Sequence, residues 1–142
     1  MLRAVVDTNI VVSGTITRAG HGAQILNAWI NGEFLPILSP DILAEIRRVV
    51  FSQKVRRHQF LTTAQAEDLL VLLAATAIMV SGREELQVCR DPSDDKFLAA
   101  AVEGEAEYVV SGDPDLTTLR AYRGVTIVPP RQFLTLLRPA SK

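Results

Sequence analysis

The segment "CRDPSDDKFLAAAVEGEAEYVVSGDPDL" (residues 89–116) carries acidic residues on both sides of one of the most apolar stretches in the chain. Within it, "DDKFLAAAV" has the spacing of a helix, predicted over Asp94–Val102, and Tyr108–Val110 is typical of a buried strand. A helix that leads directly into a buried strand indicates the α/β class. The segment also raises a chemical question, because carboxylates are rarely placed so close to a hydrophobic core.

Three more apolar runs predict strands, at Leu2–Val6, Phe34–Leu38 and Val125–Val128. Helices are predicted between and after the strands, at His21–Ile30, Pro40–Val50, Ala64–Ala77, Asp94–Val102, Asp115–Tyr122 and Gln132–Leu137. This alternation predicts a three-layer α/β/α sandwich around a central parallel sheet. We expect one domain over residues 1–138 and a short flexible tail over residues 139–142.

Two segments are less distinctive. "AIMVSG" (residues 77–82) fits either a helix end or a separate apolar element. "SGTITRAGHG" (residues 13–22) is rich in glycine but lacks the spacing of a P-loop or a dinucleotide fingerprint. We interpret it as an ordinary connection from a strand to a helix.

Composition excludes several classes of protein. The 142 residues have a net charge of −1 and a mean hydropathy of +0.19, so no overall basic field attracts nucleic acid or anionic lipid. The single cysteine, Cys89, rules out an internal disulfide and a thiolate zinc site. Any metal must therefore have mostly oxygen ligands, which favours Mg²⁺ or Mn²⁺. The apolar start is interrupted by Asp7 and Asn9, so we expect neither a signal peptide nor a membrane span, and a cytoplasmic protein.

Acidic residues follow two of the predicted strands. Asp7 comes directly after "LRAVV", and Asp113 comes just after "YVVSG". In an open parallel sheet, ligands gather at the carboxyl ends of the strands, so both residues are expected at the same edge. Asp113 alone also fits a helix N-cap. Asp7 is harder to explain structurally, since aspartate is depleted in strands.

Glu45 and Asp95 each border the apolar stripe of a predicted helix. Taken singly, Glu45 fits an ion pair with Arg48, and Asp94 and Asp95 fit the acidic first turn of a helix. Taken together with Asp7, carboxylates that converge near a core need a counter-charge. Arginine and lysine are scarce in these segments, so a divalent cation is the simplest one.

Four motifs, in this order, resemble the PIN-domain family: "VVDTNIVVS", "LSPDILAEIRRVV", "DPSDDKFLAAAVEGEAEYVVSGDPDLTTL" and "GVTIVPPRQFL". Within that family they look most like the VapC-like branch, the toxins of toxin–antitoxin systems. The resemblance covers nearly the whole chain, from about Leu2 to Leu137. It implies a ribonuclease that uses Mg²⁺ or Mn²⁺ to hydrolyse RNA phosphodiester bonds.

The resemblance also implies roles for individual residues. The catalytic and metal-binding positions are Asp7, Glu45, Asp95 and Asp113. Supporting polar positions are Asn9, Ser111, Asp94 and Asp115. Motif position favours Asp95 over its neighbour Asp94, which periodicity alone does not separate. An antitoxin protein and a homodimer or higher homo-oligomer are the partners expected, besides RNA.

A basic stretch, "RRVVFSQKVRRH" (residues 47–58), follows Glu45. Its candidates for contact with RNA or a protein partner are Arg47, Arg48, Lys54, Arg56 and Arg57. A solvated helix end explains the same residues equally well.

Other functions fit the motifs less well. A haloacid-dehalogenase-type phosphatase would need a second aspartate where Asn9 stands, and a receiver domain would need a lysine where only Arg131 is found. A catalytically idle PIN fold that serves as a binding or scaffold module is the remaining alternative, although every acidic position is filled.

Overall fold

The computed structural model describes residues 1–138, so the predicted tail over 139–142 lies outside the described residues. The strands are β1 (Arg3–Val6), β2 (Leu35–Leu38), β3 (Ile78–Met79), β4 (Tyr108–Val110), β5 (Ala121–Tyr122) and β6 (Val125–Val128). They form one sheet in the order β3-β2-β1-β4-β6-β5. All neighbours are parallel except β5 and β6. The predicted α/β/α sandwich with a central parallel sheet is therefore confirmed, with one antiparallel strand added at an edge.

The helices are α1 (Thr8–Ile16), α2 (His21–Ile30), α3 (Pro40–Val50), α4 (Gln53–Arg56), α5 (Thr63–Thr76), α6 (Asp95–Glu103), α7 (Pro114–Thr117) and α8 (Pro130–Leu137). A short 3₁₀ turn over Pro92–Asp94 precedes α6. The bounds of α2 and α3 agree with the predicted ones. Ser39 caps α3 as its sequence suggests, since its hydroxyl accepts a hydrogen bond from the Ile42 backbone amide at 3.3 Å.

The core lies on both sides of β1, whose residues Ala4 and Val5 are fully buried. On one side, the rings of Phe34 and Phe133 meet edge to face, 5.1 Å apart. The Trp29 indole donates a hydrogen bond to the Thr76 hydroxyl at 3.0 Å and so joins α2 to α5. This packing fixes the strands whose ends carry the acidic residues.

The prediction that residues 13–22 form an ordinary connection holds only for residues 17–20, because residues 13–16 belong to α1. Its residues are buried on most faces, so it lacks the amphipathic period that identifies a helix, and its β-branched residues favour a strand. The glycines have a packing role. A Cβ on Gly22 would lie 2.6 Å from the Ile10 carbonyl oxygen, so α1 and α2 are in contact only because that side chain is absent.

Two other predictions need correction. Residues 78–79 of the ambiguous segment form β3, which pairs with β2. The helix predicted over Asp115–Tyr122 ends at Thr117, and the chain then turns into β5. Arg120 has φ 66°, which ends the helical turn, and Arg123 and Gly124 (φ 49° and 81°) form the tight turn into β6.

Candidate metal-binding site

The strand ends bring Asp7 and Asp113 together. β1 and β4 are parallel neighbours with Val6 opposite Val110, so the residues that follow them leave the sheet at the same edge. Ser111 links the two acids directly. Its hydroxyl donates to the Asp7 carboxylate at 2.7 Å and accepts a hydrogen bond from the Asp113 backbone amide at 3.0 Å.

Asp7 is also the N-cap of α1. Its Oδ1 accepts a hydrogen bond from the backbone amide of Asn9 at 3.2 Å, while the Asn9 side chain is exposed beside the acids. Asp113 is likewise the N-cap of α7, and its Oδ1 accepts from the Asp115 amide at 2.9 Å. The structural role considered for Asp113 and its place in the acidic cluster therefore coexist.

Asp94 and Asp95 have different surroundings although they are adjacent. Asp94 lies in the 3₁₀ turn and lines the same cleft as Asp7 and Asp113. Asp95 Oδ1 accepts hydrogen bonds from the backbone amides of Val88 and Cys89 at 3.2 and 2.8 Å. Successive residues of a helical turn point about 100° apart, so the two side chains have different surroundings. Of the two, Asp94 lines the cleft.

One oxygen of Asp94 has no partner. The side chain is buried, with 8% of its surface exposed, and its Oδ2 makes no hydrogen bond within residues 1–138. A buried carboxylate oxygen without a partner is costly unless it is protonated or binds a cation.

The negative charges of the cleft carboxylates also repel one another. Burial is the main cause that raises the pKa of Asp94, which reaches about 6, and the charges of Asp113 and Asp7 raise it further. The pKa of Asp7 is raised by burial too, against the lowering effect of its hydrogen bonds from Ser111 and Asn9. A cation in this cleft would relieve the same repulsion.

Glu45 also lines the cleft, and its carboxylate is paired with a positively charged side chain. Its Oε1 is 2.8 Å from the Lys96 ammonium, and the Thr8 hydroxyl donates to its Oε2. Arg48, considered as a partner from the sequence, is farther away at 3.9 Å. Lys96 was missed because it stands inside the "DDKF" motif, where only the acids suggest a site.

A second group of acids adjoins the first. Asp91, Asp94 and Asp115 each place one carboxylate oxygen within 4.8 Å of the others. Asp91 is anchored by Ser93, whose backbone amide donates to it at 3.0 Å, and Asp115 lies 3.5 Å from the exposed Arg90. Among the described residues this is the one set of three acids whose oxygens lie that close together. Asp94 also lines the cleft with Asp7 and Asp113, so it belongs to both groups.

The basic stretch is only partly available to a ligand. Arg47 pairs with Glu67 at 2.6 Å, and Arg56 donates to Gln59 and Thr63 at 2.6 and 2.7 Å. Lys54 and Arg57 are exposed and make no ion pair in the described part of the chain.

The residues present suit a hard divalent cation. The cleft offers carboxylate oxygens, one of them buried without a partner, and these are the ligands that Mg²⁺ and Mn²⁺ prefer. The nearby thiol does not contribute a nucleophile, because burial and its hydrogen bond with Asp95 raise the pKa of Cys89 to about 12. No helix within residues 1–138 has the length and apolar character needed to cross a membrane.

The chain is similar to known proteins in sequence and in fold. The chain is 29% identical over 119 residues to the uncharacterized protein MJ1680 of Methanocaldococcus jannaschii, covering 84% of this chain and 76% of that protein. Its fold is similar to a crystal structure of VapBC2 from Rickettsia felis bound to a DNA fragment from their promoter, with a TM-score of 0.56 and 12% identity over 90% of this chain and 98% of that one. A family model for the PIN domain matches residues 3–115. The chain belongs to the PIN-domain family.

Proposed function

We propose that the chain is a metal-dependent endoribonuclease and that it acts as the toxin of a toxin–antitoxin system. The observation that carries this proposal is Asp94, a buried carboxylate with an unpartnered oxygen in the same cleft as Asp7 and Asp113. PIN domains are generally nucleases that use divalent metal ions, and the acidic cleft is where such an ion would be held.

Mg²⁺ or Mn²⁺ would be held by Asp7, Asp94 and Asp113, with Glu45 beside them. Asp94 takes the role that motif position suggested for Asp95, whose carboxylate is engaged by backbone amides. When bound, the metal would shield the phosphodiester charge and lower the pKa of a water molecule for attack.

The protein's own groups orient the site. Ser111 and the Asn9 amide fix both oxygens of Asp7, so this carboxylate is aimed before a ligand arrives. Lys96 and Thr8 hold Glu45 in the same way. Asp94 must lose its proton to bind a cation, and with a pKa of about 6 it does so readily at neutral pH.

The proposed partners follow from the family and from the fold. RNA is the substrate, consistent with the branch that the motifs resemble. An antitoxin protein and a second copy of the chain are proposed as binding partners, in line with the fold shared with VapBC2. Val71 and Leu72 on α5, 65% and 41% exposed, offer an apolar surface for such contacts. We place the protein in the cytoplasm with its RNA.

The test is cleavage of a labelled RNA of mixed sequence by the purified protein with Mn²⁺, Mg²⁺ or EDTA. Wild type is expected to cut with a metal and not with EDTA, and Asp94→Asn is expected to reduce the rate at least a hundredfold. Cutting that persists in EDTA would contradict a metal mechanism. If folded wild type cuts RNA with neither metal, the remaining alternative is a catalytically idle PIN fold that serves as a binding or scaffold module.

A further inference from the structure

A second cleft is also lined by Asp7 and Asp113 but, unlike the acidic cleft, is not lined by Glu45. This second cleft has a volume of about 640 Å³, and His21 and Pro130 line it as well. A shallower depression of about 300 Å³ follows it, between α2 and α8, and His21 lines this one as well. His21 borders both depressions, and Pro130 of the first directly precedes Arg131 of the second, so the two are neighbours on the surface. We call them together the groove.

The far end of the groove is positively charged. Arg131 and Arg138 line it, and no carboxylate does. Neither arginine makes an ion pair within residues 1–138, and Arg138 only donates to the amide oxygen of Gln24 at 3.3 Å. The chain has a net charge of −1, so these two unpaired arginines form a local positive patch at one end of the groove.

The basic stretch that the sequence suggested is a weaker candidate. Arg47 and Arg56 are engaged by other side chains. Arg48 lines the cleft that contains Asp7 and Asp113, but it lies 3.9 Å from the Glu45 carboxylate. Lys54 and Arg57 make no ion pair among the described residues, and they line neither cleft. Within this stretch Arg48 alone borders the acids, and it is already beside Glu45, so the stretch offers fewer unpaired cations next to them than the groove does.

We propose that the groove from His21 to Arg138 binds single-stranded RNA on one side of the scissile bond, with phosphates against Arg131 and Arg138. No carboxylate other than those of Asp7 and Asp113 lines the groove. This assignment rests on the proposed nuclease function, because the acids would fix which phosphodiester bond of the RNA is cleaved and therefore which phosphates lie against the arginines. Charge on the arginines, rather than hydrogen-bond readout of bases, provides the affinity.

Binding is measured separately from cleavage, in the Asp94→Asn background with EDTA so that the RNA stays intact. Fluorescence anisotropy with a labelled single-stranded RNA of about twelve nucleotides gives Kd as a function of salt. The test variant is Arg131→Met with Arg138→Met. The matched control is Arg83→Met with Arg120→Met, which removes the same charge from exposed residues that lie outside both clefts and make no ion pair in the described part of the chain. Lys54→Met with Arg57→Met tests the rival surface.

Each phosphate contact on a single strand contributes about 0.7 to the slope of log K against log salt. Loss of both arginines is therefore expected to reduce that slope by about 1.4 and to weaken binding roughly 25-fold near 0.1 M salt. Arg131→Lys with Arg138→Lys keeps the charge and should keep most of the slope. A merely structural role for the arginines would not produce this pattern.

Two results would contradict the proposal that the groove binds RNA. One is a change of slope in the Lys54 and Arg57 variant with none in the Arg131 and Arg138 variant. The other is equal weakening in all three double variants, which would mean that only net charge matters. The proposed nuclease function is tested by a different measurement. If it is wrong and the groove is right, wild type would bind RNA with the same dependence on Arg131 and Arg138 but would not cut it in Mn²⁺.

Discussion

At the scale of single residues, the chemistry depends on which of two adjacent aspartates reaches the cleft. Asp94 has a buried oxygen without a partner, whereas Asp95 accepts hydrogen bonds from two backbone amides. The same residue type therefore has opposite effects on stability. Asp94 is costly to the metal-free fold, and Asp95 supports it by holding the segment that precedes α6.

Substitution separates the two roles. Without metal at pH 7, Asp94→Asn is expected to raise the free energy of unfolding by about 1 kcal/mol, because a buried charge near other carboxylates is removed. Asp95→Ala is expected to lower it by about 1–3 kcal/mol, because two amides lose their acceptor. Urea unfolding in EDTA measures both. A destabilised Asp94→Asn protein would show that this carboxylate has a partner after all.

Lys96 provides a second prediction at this scale. It pairs with Glu45 at 2.8 Å, and both side chains are 19% exposed. Lys96→Met should destabilise the protein by about 1–3 kcal/mol, less than the 3–5 typical of a fully buried pair. Mn²⁺ should bind more tightly, on the order of tenfold, because a positive charge beside the cleft has been removed.

The double variant Lys96→Met with Glu45→Gln is the control, since it removes both charges and should recover much of the stability. Calorimetric titration with Mn²⁺ gives the affinity. Unchanged or weaker Mn²⁺ binding in Lys96→Met would mean that Lys96 does not act on the cleft electrostatically.

At the scale of helices and strands, the sequence predicts elements well where their pattern is local. "SPDILAEI" carries a cap, a first-turn proline and an amphipathic stripe, so α3 is predicted to the residue. α1 has none of these signals apart from its cap, because it is buried on most faces and rich in valine and isoleucine. β5 was missed since it forms only through pairing with β6 across an Arg–Gly turn, a weaker hairpin signal than Asn–Gly.

The contact between α1 and α2 can be tested through its glycines. A Cβ on Gly22 would meet the Ile10 carbonyl oxygen at 2.6 Å and the Gly14 nitrogen at 2.8 Å, both backbone atoms that cannot rotate away. Gly22→Ala is therefore expected to cost about 2–3 kcal/mol. Gly112→Ala, where the added Cβ has no neighbour within 4 Å, is the control and should change stability by less than about 0.5 kcal/mol.

Thermal and urea unfolding of both variants give the comparison. Equal stability of Gly22→Ala and wild type would mean that α1 can move away from α2 at little cost. Because Asp7 caps α1, such freedom would also weaken the claim that this carboxylate is rigidly placed.

At the scale of the whole molecule, the site forms because parallel strands end at one edge. The sequence is sufficient to predict that Asp7 and Asp113 meet there, since each follows a recognisable strand. It is not sufficient to choose between Asp94 and Asp95, because that depends on the rotation of one 3₁₀ turn. It also does not reveal Lys96 beside Glu45, a contact between α6 and α3 that only the packed structure brings about.

The raised pKa values of the cleft make stability depend on pH. The native pKa of Asp94 is about 6, above the value near 3.9 of an unfolded chain. Between these values the native state binds more protons, so the free energy of unfolding falls as pH rises. The metal-free protein should lose on the order of 2 kcal/mol from this group between about pH 4 and 6. Asp7, whose pKa is also raised, contributes with the same sign.

Urea unfolding in EDTA at several pH values measures this slope. Asp94→Asn should flatten it, and Mn²⁺ at pH 7 should restore the stability lost by wild type. The lowered pKa of Glu103 acts in the opposite direction, so the comparison with Asp94→Asn is decisive. A wild-type slope equal to that of Asp94→Asn would contradict a raised pKa at Asp94.

The most direct measurement is calorimetric titration of Mn²⁺ into wild type, Asp94→Asn and Asp95→Asn at pH 7. If the buried carboxylates share a divalent cation, wild type and Asp95→Asn bind Mn²⁺ with affinities within about threefold, and Asp94→Asn loses at least tenfold. Folding of each variant is checked by circular dichroism. Absence of Mn²⁺ binding to folded wild type, or equal binding by all three proteins, would contradict a cation centred on Asp94.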